Sequence, residues 1–110
     1  MTTRELRAEG RIPVSLRGKL NSGEDWFPCM VVDMSNRGFL ILCSKQLAIG
    51  QVLHFRCELF PGKILDCKIE IRHFSEEGVG TKITEIDEKG FSLYQLYLDE
   101  RYSDKLTRLS

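Results

Sequence analysis

The feature that most constrains the fold is a pair of neighbouring segments in which apolar and polar residues alternate. Residues 53–59 alternate Leu, Phe, Cys and Leu with His, Arg and Glu, and residues 65–71 alternate Leu, Cys, Ile and Ile with Asp, Lys and Glu. A period of two places the apolar side chains on one face of a β-strand. Between the segments lies Pro61-Gly62, a pair typical of tight turns. The sequence therefore predicts a β-hairpin with one buried face.

Four further segments have strand character. They span residues 12–20, 26–34, 39–43 and 79–86, and the last of them begins within Gly78-Val79-Gly80. Short strands separated by turn residues at this spacing are typical of small antiparallel barrels. We therefore expect a mainly β protein, a six-stranded antiparallel β-barrel over residues 12–86.

Near the C-terminal end the apolar spacing changes to three or four residues, through Phe91, Tyr94, Leu98 and Tyr102. This spacing predicts an α-helix in the segment 87–110 whose aromatic stripe covers one opening of the barrel. Ser92 and Gln95 offer a capping pair for a helix start near Phe91.

The remaining residues, 1–11, are polar and contain Gly10, which indicates a flexible arm. A length of 110 residues with 42% hydrophobic content suits one domain, residues 1–110, with a single core. No segment approaches the roughly 18 apolar residues of a membrane helix, and residues 1–5 begin no apolar signal region. We expect a cytoplasmic protein that does not insert into membranes.

Neither the cysteines nor the histidines form a pattern of catalytic or metal-binding residues. The four cysteines, at positions 29, 43, 57 and 67, include no Cys-x-x-Cys pair and lie in strand patterns, which indicates buried, reduced thiols. His54 and His73 lie on separate predicted strands without a spaced carboxylate partner. With no nucleophile–base pair and no Gly-rich phosphate loop, we expect neither an enzyme nor a resident cofactor or metal.

The charge distribution bears on the class of ligand. The chain has 16 basic and 16 acidic residues, with a basic surplus in residues 1–20 and an acidic surplus in residues 76–104. Binding of a nucleic-acid polymer depends on many phosphate contacts, which a neutral chain with an acidic third is poorly suited to make. A small anion needs only one local group of cations.

Two short motifs could supply such a group. Arg7-x-x-x-Arg11 precedes the first predicted strand, and Asp33-x-Ser35-x-x-Gly38 follows the second. Guanidiniums grip phosphates or stack on bases, and a carboxylate accepts the paired N–H groups of a guanine edge. Taken singly, the motifs are a solvated basic tail and a capped turn. Their order relative to the strands favours one split site for an anion and a guanine.

At these motifs the chain resembles the PilZ domain family, and the resemblance covers the whole chain. It implies a receptor or adaptor that binds the bacterial messenger cyclic di-GMP. By this resemblance Arg7 and Arg11 contact phosphates and guanine faces, and Asp33 contacts a guanine edge. Ser35 makes a polar or phosphate contact, and Gly38 allows close approach. The arm would close on the ligand, and a protein partner in motility, biofilm, polysaccharide or pilus control would recognise the change.

The sequence departs from the common family pattern at Leu6, where many members place another arginine. We therefore expect one bound ligand rather than an intercalated pair. The bulky residue that often lies near the guanine could be Arg72, His73 or Phe74. Two other functions stay open: a protein-interaction adaptor that binds no nucleotide, and a single-strand nucleic-acid barrel. The second would use Trp26, Phe39 and Phe55 for stacking, although we expect these three side chains in the core.

Overall fold

The computed structural model describes residues 10–109, and the side chains of residues 10–103. Most of the predicted arm, including Leu6 and Arg7, lies outside the described residues. In the part described, no helix is long and apolar enough to cross a lipid bilayer.

Six strands and one helix make up the fold. They are β1 (Ile12–Asn21), β2 (Trp26–Met34), β3 (Phe39–Leu42), β4 (Val52–Phe60), β5 (Lys63–Ser75), β6 (Gly78–Ile86) and α1 (Glu88–Leu109). The strands form a closed antiparallel barrel in the order β1-β2-β3-β6-β5-β4. The predicted six-stranded barrel with a C-terminal helix is thus confirmed.

The β4–β5 hairpin shows why the alternating residues form the core. Arg56 pairs with Asp66 on the outer face, and Cys57 pairs with Leu65 on the inner face. All the apolar residues of the two alternating segments are buried. At the turn, Gly62 has a φ of 75°, a left-handed conformation that glycine adopts without strain. Burial of one face of each strand therefore fixes the register of the hairpin.

Bulges change the direction of two polar side chains. From buried Val31, a strict period of two would point Asp33 into the core. The pairing of β2 with β3 shifts between these two residues, so that Asp33 lies opposite Leu40 and Met34 becomes the buried residue. A similar shift on β5 lies between buried Ile71 and exposed His73. Each bulge inserts one extra residue and so directs the next side chain to the outer surface.

The helix begins earlier than its aromatic stripe. The Asp87 carboxylate accepts a hydrogen bond from the Gly90 N–H (2.7 Å), and the Asp87 carbonyl accepts one from the Phe91 N–H (2.8 Å). Asp87 is therefore the N-cap, and the predicted capping by Ser92 and Gln95 is wrong. The stripe marks the buried face of a helix and not its first residue.

On the buried face of α1, aromatic rings pack against the barrel. Tyr94 contacts Phe39, with ring centroids 6.4 Å apart, and Tyr97 meets Phe60 edge to face at 5.5 Å. Phe91, predicted as part of this face, is instead 50% exposed. A residue in the first turn extends beyond the part of the barrel that the helix covers.

Trp26 and His54 also differ from expectation. The Trp26 side chain lies on the outer surface, with its ring 5.1 Å from the His54 ring and 5.0 Å from the Arg56 guanidinium carbon. Asp66 is hydrogen-bonded to both His54 and Arg56. Partial burial favours the neutral acid, but the bonds from His54 and Arg56 outweigh it and lower the pKa of Asp66. Strand pairing supplies this carboxylate, which spacing along the chain does not reveal.

The buried thiols give a first prediction. Burial raises the pKa of Cys29 and Cys67 to about 12 and that of Cys57 to about 11. Because the thiolate is the reactive form, we expect slow alkylation of these three cysteines near the ordinary thiol pKa of about 8.5. Half-buried Cys43 should react first. Mass spectrometry after iodoacetamide treatment, with and without denaturant, measures this order. Reaction of the buried three in the native protein as fast as in denaturant would contradict it.

Candidate functional site

The Asp33-x-Ser35-x-x-Gly38 motif forms a turn between β2 and β3 that is held by its own hydrogen bonds. The Ser35 N–H donates to the Gly38 carbonyl (2.9 Å), and the Ser35 hydroxyl lies 3.2 Å from the same oxygen. The Arg37 N–H donates to the Ser35 hydroxyl oxygen at 3.4 Å. Ser35 therefore closes the turn, so this part of the motif has a structural role whatever the ligand.

Gly38 allows the turn to approach β6. A Cβ at this position would overlap the carbonyl oxygen of Thr81. The Thr81 hydroxyl donates to the Phe39 carbonyl at 2.7 Å and so continues the β3–β6 pairing beside the turn. Packing against Thr81 is thus sufficient reason for a glycine, and the predicted close approach of a ligand to Gly38 stays a prediction.

The helix supports the turn through Tyr94. Its hydroxyl donates to the Ser35 carbonyl at 2.6 Å and lies 3.2 Å from the Gly38 carbonyl. The side chain is almost fully buried, and this burial strongly raises the pKa of Tyr94. The phenol therefore stays protonated and keeps its donor. Tyr94 links the first turns of α1 to both ends of the Ser35–Gly38 turn.

A recess on the outer surface of the barrel brings the predicted residues together. It is lined by Arg11, Asp33, Ser35, Gly38, Phe39, His73, Gly80 and Thr81. Four of the five predicted site residues lie here, and the fifth, Arg7, lies outside the described residues. Within the recess Arg11 Nη1 is 3.6 Å from Asp33 Oδ2. The described part of the split site that the sequence predicts therefore lies in one place in the structure.

Of the three bulky candidates on β5, His73 lines the recess. It is opposite Gly80 on β6, and a Cβ at Gly80 would overlap the His73 ring. The imidazole thus lies against bare backbone. Arg72 Nη1 instead is 3.4 Å from a Glu70 carboxylate oxygen, and Phe74 is absent from the recess lining.

The recess combines chemistries that suit an anion with a planar base. A guanidinium, a carboxylate and an imidazole ring adjoin one another around the turn. The recess has a volume of about 40 Å³, so a nucleotide extends beyond it. The Arg11 side chain beside it is about half exposed.

Sequence reasoning did not identify Gly80, Thr81 or Tyr94. A glycine inside a strand pattern is a sign of close approach, so Gly80 could have been found. Tyr94 belongs to an aromatic stripe in which spacing alone does not separate a hydrogen-bonding phenol from a packed ring. Thr81 depends on pairing between strands distant in sequence.

Replacing Tyr94 with Phe tests the link between helix and turn. The change leaves the Ser35 carbonyl without this donor, and an unsatisfied buried partner costs about 1–3 kcal/mol. We expect a loss of unfolding free energy in this range, measured by urea denaturation. Tyr97→Phe is the matched control, because Tyr97 packs on the same helix and its hydroxyl has no hydrogen-bond partner among the described residues. Equal losses in both variants would contradict the role of the Tyr94 hydroxyl.

Comparison with known proteins gives the chain a family. It matches the PilZ domain over residues 5–100. An inhibitor of motility from Bacillus subtilis (MotI/DgrA) has a similar fold, with a TM-score of 0.72 and 15% identity. The match covers 86% of this chain and 50% of that one, so this chain spans half the length of the motility inhibitor.

A second solved structure, the PilZ domain of CeSA from a cellulose-synthesizing bacterium, has a TM-score of 0.64 and 17% identity, over 83% of this chain and 97% of that one. At these identities the likeness concerns the fold. No curated protein sequence matches the chain. Both motifs lie within the matched residues, 5–100. Because this match spans most of the chain, the chain belongs to the PilZ domain family.

Proposed function

We propose that this protein is a receptor for cyclic di-GMP that passes ligand binding on to a protein partner. The observation that carries the proposal is the recess in which Arg11, Asp33 and His73 adjoin the Ser35–Gly38 turn. In this proposal Arg11 and Arg7 hold phosphates and stack on guanine faces. Asp33 accepts the N1–H and N2–H groups of a guanine edge, and His73 packs against a base. The protein has a binding role and not a catalytic one.

Binding replaces one ion pair by stronger contacts. Arg11 and Asp33 are paired at 3.6 Å on the surface, an arrangement worth about 0–1 kcal/mol. A hydrogen bond from an arginine to a phosphate contributes roughly 1.5–3 kcal/mol. The ligand therefore takes Arg11 onto a phosphate and leaves the Asp33 carboxylate for guanine at little energetic cost. The ion pair keeps both groups at the site beforehand.

In this proposal the arm closes on the ligand, and closure makes the response switch-like. Each residue whose backbone becomes fixed on closure costs about 1–2 kcal/mol, so closure has to gain several contacts. A chain segment that is clamped by a ligand presents a changed surface, which a partner can recognise. The related structures come from a motility inhibitor and from a cellulose-synthesizing bacterium. We extend these two settings, motility and polysaccharide synthesis, to this protein as candidate pathways.

A second candidate is an adaptor that binds no nucleotide. The Arg11–Asp33 ion pair favours it, because the two motif charges that the structure describes already neutralise each other. Calorimetric titration with cyclic di-GMP distinguishes the two functions. Heat with a defined stoichiometry supports the receptor, and its absence at high protein concentration supports the adaptor.

Substitutions in the recess test the assignment of the binding residues. We expect Arg11→Ala to weaken cyclic di-GMP binding by roughly ten-fold or more, because it removes a charged hydrogen bond. Asp33→Ala should lower the binding free energy of cyclic di-GMP by about 1–3 kcal/mol, by analogy with base-edge recognition. It should also reduce the preference for cyclic di-GMP over cyclic di-AMP. Arg17→Ala is the control, since Arg17 is exposed on β1 and does not line the recess. Calorimetry measures affinity, and thermal unfolding confirms that each variant folds. Equal affinity of the unchanged protein for both dinucleotides would refute the role of Asp33.

The stoichiometry depends on the residue before Arg7. We expect one ligand for each chain, because a second dinucleotide adds two phosphate charges that Leu6 cannot offset. Leu6→Arg supplies a guanidinium and a stacking plane, so it should shift the calorimetric stoichiometry toward two. High salt should weaken the second binding step by screening. A stoichiometry near two before any substitution would show that another cation, such as Arg4, already serves this purpose.

A further inference from the structure

A groove of about 600 Å³ lies between the start of β5 and the first half of α1. It shares no lining residue with the recess around Arg11 and Asp33. Its apolar lining consists of Ile64, Leu93 and Leu96. Ile64 is 55% exposed and Leu96 is 52% exposed, whereas Leu93 is partly buried against the core. Gly62 and Gly90 also line the groove and leave room for an incoming side chain. This surface has the depth and the apolar content of a contact site.

The helix side of the groove has an ordered set of charges. Lys89, Leu93, Leu96 and Glu100 recur at intervals of four, three and four residues, so they share one face of α1. Lys89, Leu96 and Glu100 are exposed. Among the residues described, neither Lys89 nor Glu100 takes part in an ion pair. The stripe therefore has an apolar centre, a cation at its N-terminal end and an anion at its C-terminal end.

We propose that this groove is the contact site for a second copy of the same chain. Two such helices packed antiparallel about a two-fold axis bring Leu93 of one copy against Leu96 of the other. The same arrangement brings Lys89 of one copy to Glu100 of the other, twice. A two-fold interface requires a self-complementary surface, and this stripe has that property in charge and in apolar pattern. Leu96 of each copy enters the groove of the other beside Ile64.

Two observations favour a second copy over other occupants. The two charges of the helix stripe, Lys89 and Glu100, have opposite signs and lie about three helical turns apart, so each would face its opposite in a second stripe that runs antiparallel. A membrane surface or a nucleic acid selects an excess of basic residues, which this stripe lacks. One helix stripe with a few flanking residues is a small interface, so the dimer is weak and depends on concentration.

Sedimentation velocity of the full chain, from low micromolar to several hundred micromolar protein, measures the association. We expect the mean mass to rise from one copy toward two over this range.

Leu96→Glu places a carboxylate in the apolar centre, so it should weaken association by on the order of ten-fold or more. Phe91→Glu is the matched control. Phe91 is as exposed as Leu96, lies on the same helix and does not line the groove, so this variant should associate normally. Circular dichroism checks that both variants keep the fold.

Charge exchange tests the antiparallel register. Lys89→Glu and Glu100→Lys should each weaken self-association, because each places like charges opposite one another. An equimolar mixture of the two single variants should associate again, since every contact then joins opposite charges. The double variant Lys89→Glu/Glu100→Lys should likewise associate. A single-copy mass at all concentrations would overturn the proposal. Normal association of Leu96→Glu, or no recovery in the mixture and the double variant, would overturn it too.

These measurements are made without nucleotide and do not depend on the proposed ligand. A monomer that binds cyclic di-GMP would overturn the dimer alone, and a dimer that binds no nucleotide would overturn the receptor function alone.

Discussion

The hydrogen bond from the Tyr94 hydroxyl to the Ser35 carbonyl joins the two parts of the molecule on which the site depends. The turn is closed by hydrogen bonds from Ser35 to the Gly38 carbonyl, but the Ser35 carbonyl still needs a donor. Partial burial strengthens this need, because a carbonyl beside the core has little access to solvent. The helix supplies this donor through the Tyr94 hydroxyl, whose pKa is raised by burial. The position of α1 on the barrel and the shape of the motif turn are therefore set together.

This arrangement gives one physical route between the recess and the helix. A ligand held by Asp33 and the turn acts on the backbone that Tyr94 bonds, and Tyr94 lies on the same helix as the Lys89–Glu100 stripe. The helix is a continuous element from Glu88 to Leu109, so a shift at its first turns reaches the whole stripe. If ligand binding and self-association are coupled, this bond is the physical connection that carries the coupling, and the coupling acts equally in both directions.

Much of the fold follows from the alternation in β4 and β5, since burial of one face dictates both strand identity and register. The two motifs likewise marked Arg11, Asp33, Ser35 and Gly38, which the structure places around one recess and turn. The sequence pattern failed where the answer depended on which residues strand pairing brings together. His54 is hydrogen-bonded to Asp66 only because β4 pairs with β5. Gly38 lies against Thr81 only because β3 and β6 are neighbours. It failed also at Asp87, whose capping role depends on a helix start that the aromatic spacing does not mark.

The bulges in β2 and β5 decide which way two side chains of the site face. On both strands a strict alternation would direct the polar residue, Asp33 or His73, toward the barrel interior, and one additional residue reverses that direction. The two reversals occur on strands that flank the β3–β6 pair, so the carboxylate and the imidazole both line the recess. If the same residues paired regularly, without the bulge, a titratable side chain would point into a core made almost entirely of hydrocarbon. The phase of each strand therefore carries information about the site that no list of its residues contains. Among relatives of this fold, a strand that lacks the additional residue is therefore expected to keep the side chain on the outer surface, whereas a strand that retains the residue but pairs without a bulge is expected to lose the site.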